Sequence, residues 1–358
     1  MPSRSQTEKK KLHDFCMKIP KVELHAHLNG SISTDTLQKL SARKSSSDEK
    51  ASDLAKLAKW KKLTENREQR SLEDCFEIFP LVHKLVDDAE AVAIATRDVI
   101  QEFAADNVKY LELRSSPKEN PSTGLTRRTY IETVLKEIKQ SNYESNGILT
   151  RFLLSIDRKV PLPVMGEVVK LAEEFHTSSE GLLVGLDLSG DPFTTNVSDI
   201  IPLLSRAKNA GLKLALHLAE TDDRSAESLM LLQVPPDRIG HGTFIHPAAG
   251  GTDEMEELVN RLKIPIECCL TSNLISRTVK SYSEHHFKYW LNKNHPVVLC
   301  TDDKGVFSTN LSEEYRIAAE TYNLQNDDLW RISNESINYI FADDATKTSL
   351  RDEWQICR

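Results

Sequence analysis

Short apolar runs rich in β-branched residues and leucine recur along the chain, and segments with a longer hydrophobic period separate them. Eight runs predict strands, over residues 22–28, 109–115, 151–157, 183–189, 213–219, 238–241, 264–271 and 296–301. From the second onward they begin about every 25 to 40 residues, the spacing of strand-loop-helix-loop units. Between them, segments such as 90–106, 130–140, 164–175 and 254–262 repeat their apolar positions at helical spacing. Eight such units predict one α/β domain over residues 1–358, a (β/α)8 TIM barrel, for which 358 residues is an ordinary length.

The first unit is irregular, because roughly eighty residues separate strands one and two. Within it 33–40, 51–63 and 72–86 carry helical patterns, whereas 41–53 is rich in Ser, Lys and Asp and predicts a mobile loop. These helices are expected to form a lid over the barrel mouth within residues 31–108. Further helices follow Phe307.

Composition narrows the class. Hydrophobic residues are 39% and charged residues 28%, and no apolar stretch approaches the roughly 20 residues that span a bilayer. Residues 1–12 are polar and basic, without the apolar core of a secretory signal, and Lys9-Lys10-Lys11 reads as a solvated tail. A net charge of −8 with no basic stripe excludes general nucleic-acid binding. Six cysteines lack framework spacing, and Cys268, Cys269 and Cys300 sit in apolar runs. The expectation is a cytosolic monomer that touches neither nucleic acid nor membrane.

The chemistry gathers where the strands end. In Val22-Glu23-Leu24-His25-Ala26-His27, strand alternation points both imidazoles to one side, as a metal ion requires. His217 closes the alternating run Lys213-Leu-Ala-Leu-His217, and Asp302 follows an apolar run where an ionised carboxylate is costly unless paired or metal-bound. Three imidazoles and one carboxylate suit one Zn²⁺ per chain with a position left for water. Glu220, three residues past His217, is otherwise an exposed loop glutamate, and His241, between two glycines, is otherwise a turn histidine. Asp303 beside Asp302 is hard to explain structurally, since adjacent carboxylates repel. His285-His286 has no partner motif and is expected at the surface.

Glu23-Leu-His25-Ala-His27-Leu-Asn29-Gly30, Leu188-Ser-Gly190-Asp191, His217-Leu-Ala-Glu220, Arg238-Ile-Gly-His241-Gly242, Leu270-Thr-Ser-Asn273 and Cys300-Thr-Asp302-Asp303-Lys304 follow one another in an order that is highly specific. By these motifs the chain resembles the adenosine deaminase group of the amidohydrolase superfamily, and within it the N6-methyl-AMP deaminases. The resemblance implies that His25, His27, His217 and Asp302 ligate zinc. It implies that Glu220 protonates purine N1, and that His241 orients and deprotonates the attacking water. Asp303 is implied at N7 and the Gly190 backbone at N3, and the purine nucleotide is the small-molecule partner.

Departures from the nucleoside enzymes point to a 5′-phosphate. Asn29 stands where those enzymes typically carry an aspartate, and Lys304 follows the Asp pair where they have no basic residue. Arg114-Ser115-Ser116-Pro117-Lys118 adds donors and positive charge at the end of strand two. His83 and Asp157 resemble nucleotide-contacting positions of the family, and His27 also faces the substrate. Three other readings are a nucleoside deaminase, a binuclear amidohydrolase and a catalytically inactive zinc-stabilised binding module. The first is disfavoured by Asn29 and Lys304. The second lacks a lysine at the end of strand four, and the third would have lost a ligand or Glu220.

Overall fold

The computed structural model describes residues 5–43, 47–65, 77–144 and 147–356. Eight parallel strands lie side by side in chain order: β1 Lys21–His27, β2 Val108–Ser115, β3 Leu149–Asp157, β4 Leu183–Ser189, β5 Lys213–Leu218, β6 Arg238–His241, β7 Ile266–Cys268 and β8 Val297–Leu299. The last strand returns to the first through a parallel bridge between Ala26 and Asp302. There the Asp302 N–H donates to the His25 carbonyl at 2.8 Å, and the His27 N–H donates to the Asp302 carbonyl at 3.1 Å. The result is the nearly closed (β/α)8 barrel that the eight-fold spacing predicts. Its seam brings His25, His27 and Asp302 together through backbone bonds alone.

Alternation along the strands divides the buried residues. Val22, Leu24 and Val298 join Ile337, Leu350 and Trp354 in one apolar cluster, so the C-terminal helices cover this flank of the barrel. The alternate positions carry charge into the interior: Glu23, Glu112, Arg114, Asp187, Arg238 and Glu267 all have no exposed surface. Arg114 lies 3.1 Å from Asp187 and 2.8 Å from Glu267, and Arg238 reaches Glu267 at 2.6 Å and also pairs with Glu112. Pairing of this kind offsets the cost of burying charge, whereas Glu23 instead accepts from the Thr301 N–H at 3.0 Å and the Thr301 hydroxyl at 2.8 Å. Arg238 also stacks 3.5 Å over the Phe341 ring and donates to the Tyr339 carbonyl at 2.9 Å, which anchors the C-terminal segment to the network.

Four expectations change. Lys9-Lys10-Lys11 is not a tail but part of a helix, Gln6–Lys18, because Ser5 and Glu8 form a capping box and Leu12 and Cys16 bury one face. Most of the loop expected over 41–53 is helical, in Thr34–Arg43 and Ser47–Glu65, and residues 44–46 lie outside the described residues. The helix expected over 72–86 is seen as Phe79–Leu85, with 72–76 likewise outside. The strand expected over 264–271 stops at Cys268, and the chain turns into a short helix, Leu270–Ile275. Short apolar runs look alike as strand or buried helix, and this turn carries Ser272 and Asn273 to the barrel mouth.

Within the first unit, Arg43 pairs with Asp88 at 2.9 Å and Lys39 with Asp98 at 2.6 Å, fastening Thr34–Arg43 to the helix Ala89–Ala105. Leu311–Tyr322, Asn326–Ser336 and Asp344–Ile356 are the helices expected beyond Phe307. Among the described residues, no helix is long and apolar enough to cross a membrane.

Candidate active site

One nitrogen or oxygen from each of His25, His27, His217 and Asp302 lies within 4.8 Å of the others, at the C-terminal ends of β1, β5 and β8. His27 Nε2 is 3.3 Å from His217 Nε2, and both His25 Nε2 and His27 Nε2 are 3.4 Å from Asp302 Oδ1. The outer nitrogens are held from behind. His25 Nδ1 meets Glu267 Oε2 at 2.7 Å, and His217 Nδ1 meets Asp187 Oδ1 at 2.8 Å. Each carboxylate fixes a tautomer that leaves Nε2 as a lone pair aimed at the common centre. His25 Nε2 is buried and has no hydrogen-bond partner among the described residues. A metal ion answers that orphaned nitrogen, and the donor set fits a catalytic divalent site. Gly240 makes the packing possible, because a Cβ there would sit 2.9 Å from His25 Cε1.

Three strand ends leave the barrel through left-handed backbone, at Ala219 (φ 53°), His241 (φ 60°) and Asp302 (φ 60°). For non-glycine residues this conformation is costly and is often kept at functional sites. Here it swings Glu220, His241 and Asp303 over the cluster. His241 Nε2 lies 3.8 Å from Glu220 Oε1 and 3.7 Å from Asp302 Oδ2, whose other contact is the Ser272 hydroxyl at 2.7 Å. Burial raises the Glu220 carboxyl above its ordinary value, and burial together with neighbouring Asp302 holds Asp303 well above its own. Desolvation holds the His241 imidazole well below the usual histidine range. Asp303 lies against Gly30, where a Cβ would fall 1.6 Å from Asp303 Oδ1.

The remaining predicted positions divide into two groups. Gly190 (φ 94°) brings its backbone against Asp157, and a Cβ there would sit 2.5 Å from Asp157 Oδ1. Ser115 Oγ shares a hydrogen bond of 2.7 Å with the Tyr130 hydroxyl, which also meets the Asn29 side chain. Pro117 is buried, and Ser116 and Lys118 are half-buried. Desolvation lowers the Lys118 ammonium to about 8, with the Asp157 charge opposing it. His83, on Phe79–Leu85, is held down at about 4 by desolvation and by Lys118. Apart from His83, these predicted positions lie at or just past the C-terminal ends of β1 to β4. Lys304 stands apart from them. It is buried, pairs with Glu102 on the helix Ala89–Ala105 and lies 5.1 Å from the Phe103 ring, so its charge is already spent. Arg114 is likewise not a mouth donor, because alternation with Glu112 turns it into the barrel interior.

Comparison with known proteins fits this geometry. The adenosine deaminase family profile matches residues 20–356. The chain belongs to the adenosine deaminase family. As a member it is a hydrolytic deaminase that acts on C–N bonds. It is 51% identical to the N6-methyl-AMP deaminase of Homo sapiens over 341 residues, 95% of this chain and 94% of the human protein. The apo structure of the Arabidopsis thaliana N6-methyl-AMP deaminase superposes with a TM-score of 0.83 at 35% identity, covering 96% of this chain and 98% of that one. Arabidopsis ADAL complexed with IMP gives a TM-score of 0.82 at 35% identity, with the same coverage.

Sequence reasoning missed the residues behind the cluster. Asp187 and Glu267 each stand alone in an apolar strand, and an isolated carboxylate in a buried run is the available signal. His285 and His286 are not at the surface but buried, at 2% and 3% exposure. Their neighbours are Asn273 and the His241 backbone, residues brought to them only by the fold.

Proposed function

We propose that this deaminase removes methylamine from N6-methyl-AMP, giving IMP, with one zinc ion per chain. The observation that carries the reading is the convergence of three imidazoles and Asp302 on one centre, flanked by Glu220 and His241. His25, His27, His217 and Asp302 would hold the metal. When bound, zinc supplies Lewis-acid activation of water. Glu220 donates a proton to purine N1, which makes C6 more electrophilic. His241 orients the water that adds to C6. Asp303, kept protonated, donates to N7, an acceptor, and the Gly190 backbone meets N3. Departure of the amine completes the change: N6-methyl-AMP and water give IMP and methylamine.

The nucleotide class is supported by the names of the relatives, by the IMP held in the Arabidopsis neighbour, and by the neutral Asn29 beside Tyr130 and Ser115. Lys118 and His83 supply positive charge and a hydrogen-bonding imidazole at the same rim, and the helices between β1 and β2 act as the lid. Engagement of Lys304 by Glu102 favours the nucleoside reading to the extent that it removes one phosphate donor.

Metal content and turnover of AMP, N6-methyl-AMP, adenosine and N6-methyladenosine decide between the two. The nucleotide reading expects zinc near one per chain and N6-methyl-AMP as the best substrate. Equal efficiency on N6-methyladenosine would leave a nucleoside deaminase, and two required metals would move the chain to the binuclear branch.

A further inference from the structure

His285 and His286 are adjacent, buried and unused by the chemistry above, yet His286 contacts His241 directly and His285 reaches it through Asn273. His286 Nε2 lies 2.7 Å from the His241 backbone oxygen. A carbonyl only accepts, so this nitrogen carries its hydrogen and grips the left-handed residue. His285 reaches the ring through a chain of fixed donors. The Phe287 backbone N–H, which can only donate, points at His285 Nδ1 at 3.0 Å. Neutral His285 therefore carries its hydrogen on Nε2, which lies 3.0 Å from Asn273 Oδ1.

That contact sets the amide. With Oδ1 accepting from His285, Asn273 Nδ2 faces Thr278 Oγ1 at 3.1 Å, Thr243 Oγ1 at 3.4 Å and His241 Nδ1 at 3.3 Å. The Thr278 hydroxyl donates to the Asn273 carbonyl oxygen at 3.1 Å, which leaves its lone pairs free to receive from Nδ2. An amide NH₂ only donates. His241 Nδ1 must then accept, and the ring hydrogen of neutral His241 sits on Nε2, turned toward Glu220 and Asp302.

We infer that Asn273 and His285 are positioning residues that fix neutral His241 with its hydrogen on Nε2, so that His241 meets the reacting water as a hydrogen-bond donor. This departs from the proton-accepting role that the family resemblance implies. Its catalytic consequence rests on the proposed function, but the tautomer does not.

The test uses the full-length, zinc-loaded protein with ¹⁵N-labelled histidine. Long-range ¹H–¹⁵N correlations separate the two neutral tautomers, and the His241 signals are identified by their loss in His241→Asn. The expected pattern is an unprotonated Nδ1 and a protonated Nε2. In Asn273→Asp the new carboxylate only accepts, so the hydrogen moves to Nδ1. Turnover of N6-methyl-AMP should then fall about 100-fold, the scale of a misplaced acid–base group, with KM little changed. His285→Gln, which keeps an N–H donor, should retain most of kcat, and His285→Leu should not.

A wild-type His241 protonated on Nδ1 overturns the inference, as does an Asn273→Asp enzyme with undiminished kcat. If that variant fails to fold, the wild-type spectrum decides alone. A protein with the predicted tautomer but no activity on N6-methyl-AMP would sink the functional reading and leave the relay standing.

Discussion

Replacing Glu267 with glutamine should weaken metal binding although no ligand is touched. Glu267 Oε2 serves His25 Nδ1 at 2.7 Å and Arg114 at 2.8 Å, while Oε1 serves Arg238 at 2.6 Å, all without exposed surface. A glutamine fills the same volume but has one oxygen, so whichever way it turns, its NH₂ faces a donor. Breaking a buried ion pair costs about 3–5 kcal/mol. Arg114 keeps Asp187 and Arg238 keeps Glu112, which puts the loss at the lower end, about 3 kcal/mol, for the metal-free chain. Loosening the carboxylate behind a metal-ligating histidine typically costs about 10- to 100-fold in metal affinity. Competition with a chromophoric chelator reads the zinc affinity, and urea unfolding of the metal-free protein reads the stability. Asp187→Asn should reproduce the affinity loss through His217. Glu267→Gln with wild-type zinc affinity and unchanged unfolding would refute the claim that these carboxylates hold the site.

Glu220→Gln should keep zinc and lose about 10²- to 10⁴-fold in turnover, because shape survives and the proposed proton donor does not; metal analysis beside steady-state kinetics checks it. Lys304→Ala should cost under about tenfold in kcat/KM for N6-methyl-AMP, the scale of an ion pair without a substrate contact, since Glu102 already holds the ammonium. A loss of two or more decades would return Lys304 to the phosphate site. Glu314 accepts from the Thr271 N–H at 3.1 Å and from Thr309 Oγ1 at 2.6 Å, yet burial pushes its carboxyl from 4.5 up to about 7. The folded state therefore binds this proton more tightly, and the stability it contributes fades as pH rises from about 4.5 through about 7. Glu314→Gln should remove that decline, gaining up to about 3 kcal/mol on the wild type across the window in urea titrations at its two ends.

The barrel was legible because its strands repeat at even spacing and their apolar alternation is strong. The His-x-His pair was legible for the same reason, since residues two apart in a strand share a side. What escaped depends on contacts between distant elements. Arg114 ends a strand and looked like a mouth donor, but it shares the inward face with Glu112 and is consumed by Asp187 and Glu267. Lys304 follows the Asp pair and looked free, but a helix inserted some two hundred residues earlier supplies Glu102. His285 and His286 have no local signal at all, because their partners Asn273 and His241 arrive from a separate helix and strand. The run over 264–271 hid a strand-to-helix turn because leucine, cysteine and threonine suit either state. Side-chain periodicity tells which face a residue takes, not which charge waits there.

The most direct test of the central claim is the product formed from N6-methyl-AMP in ¹⁸O-labelled water by the zinc-loaded protein. Hydrolysis at C6 predicts IMP carrying one ¹⁸O on the base, with methylamine released in equal amount and both lost on replacing His217 with alanine. Unlabelled IMP, or turnover that survives loss of the metal, would contradict the account.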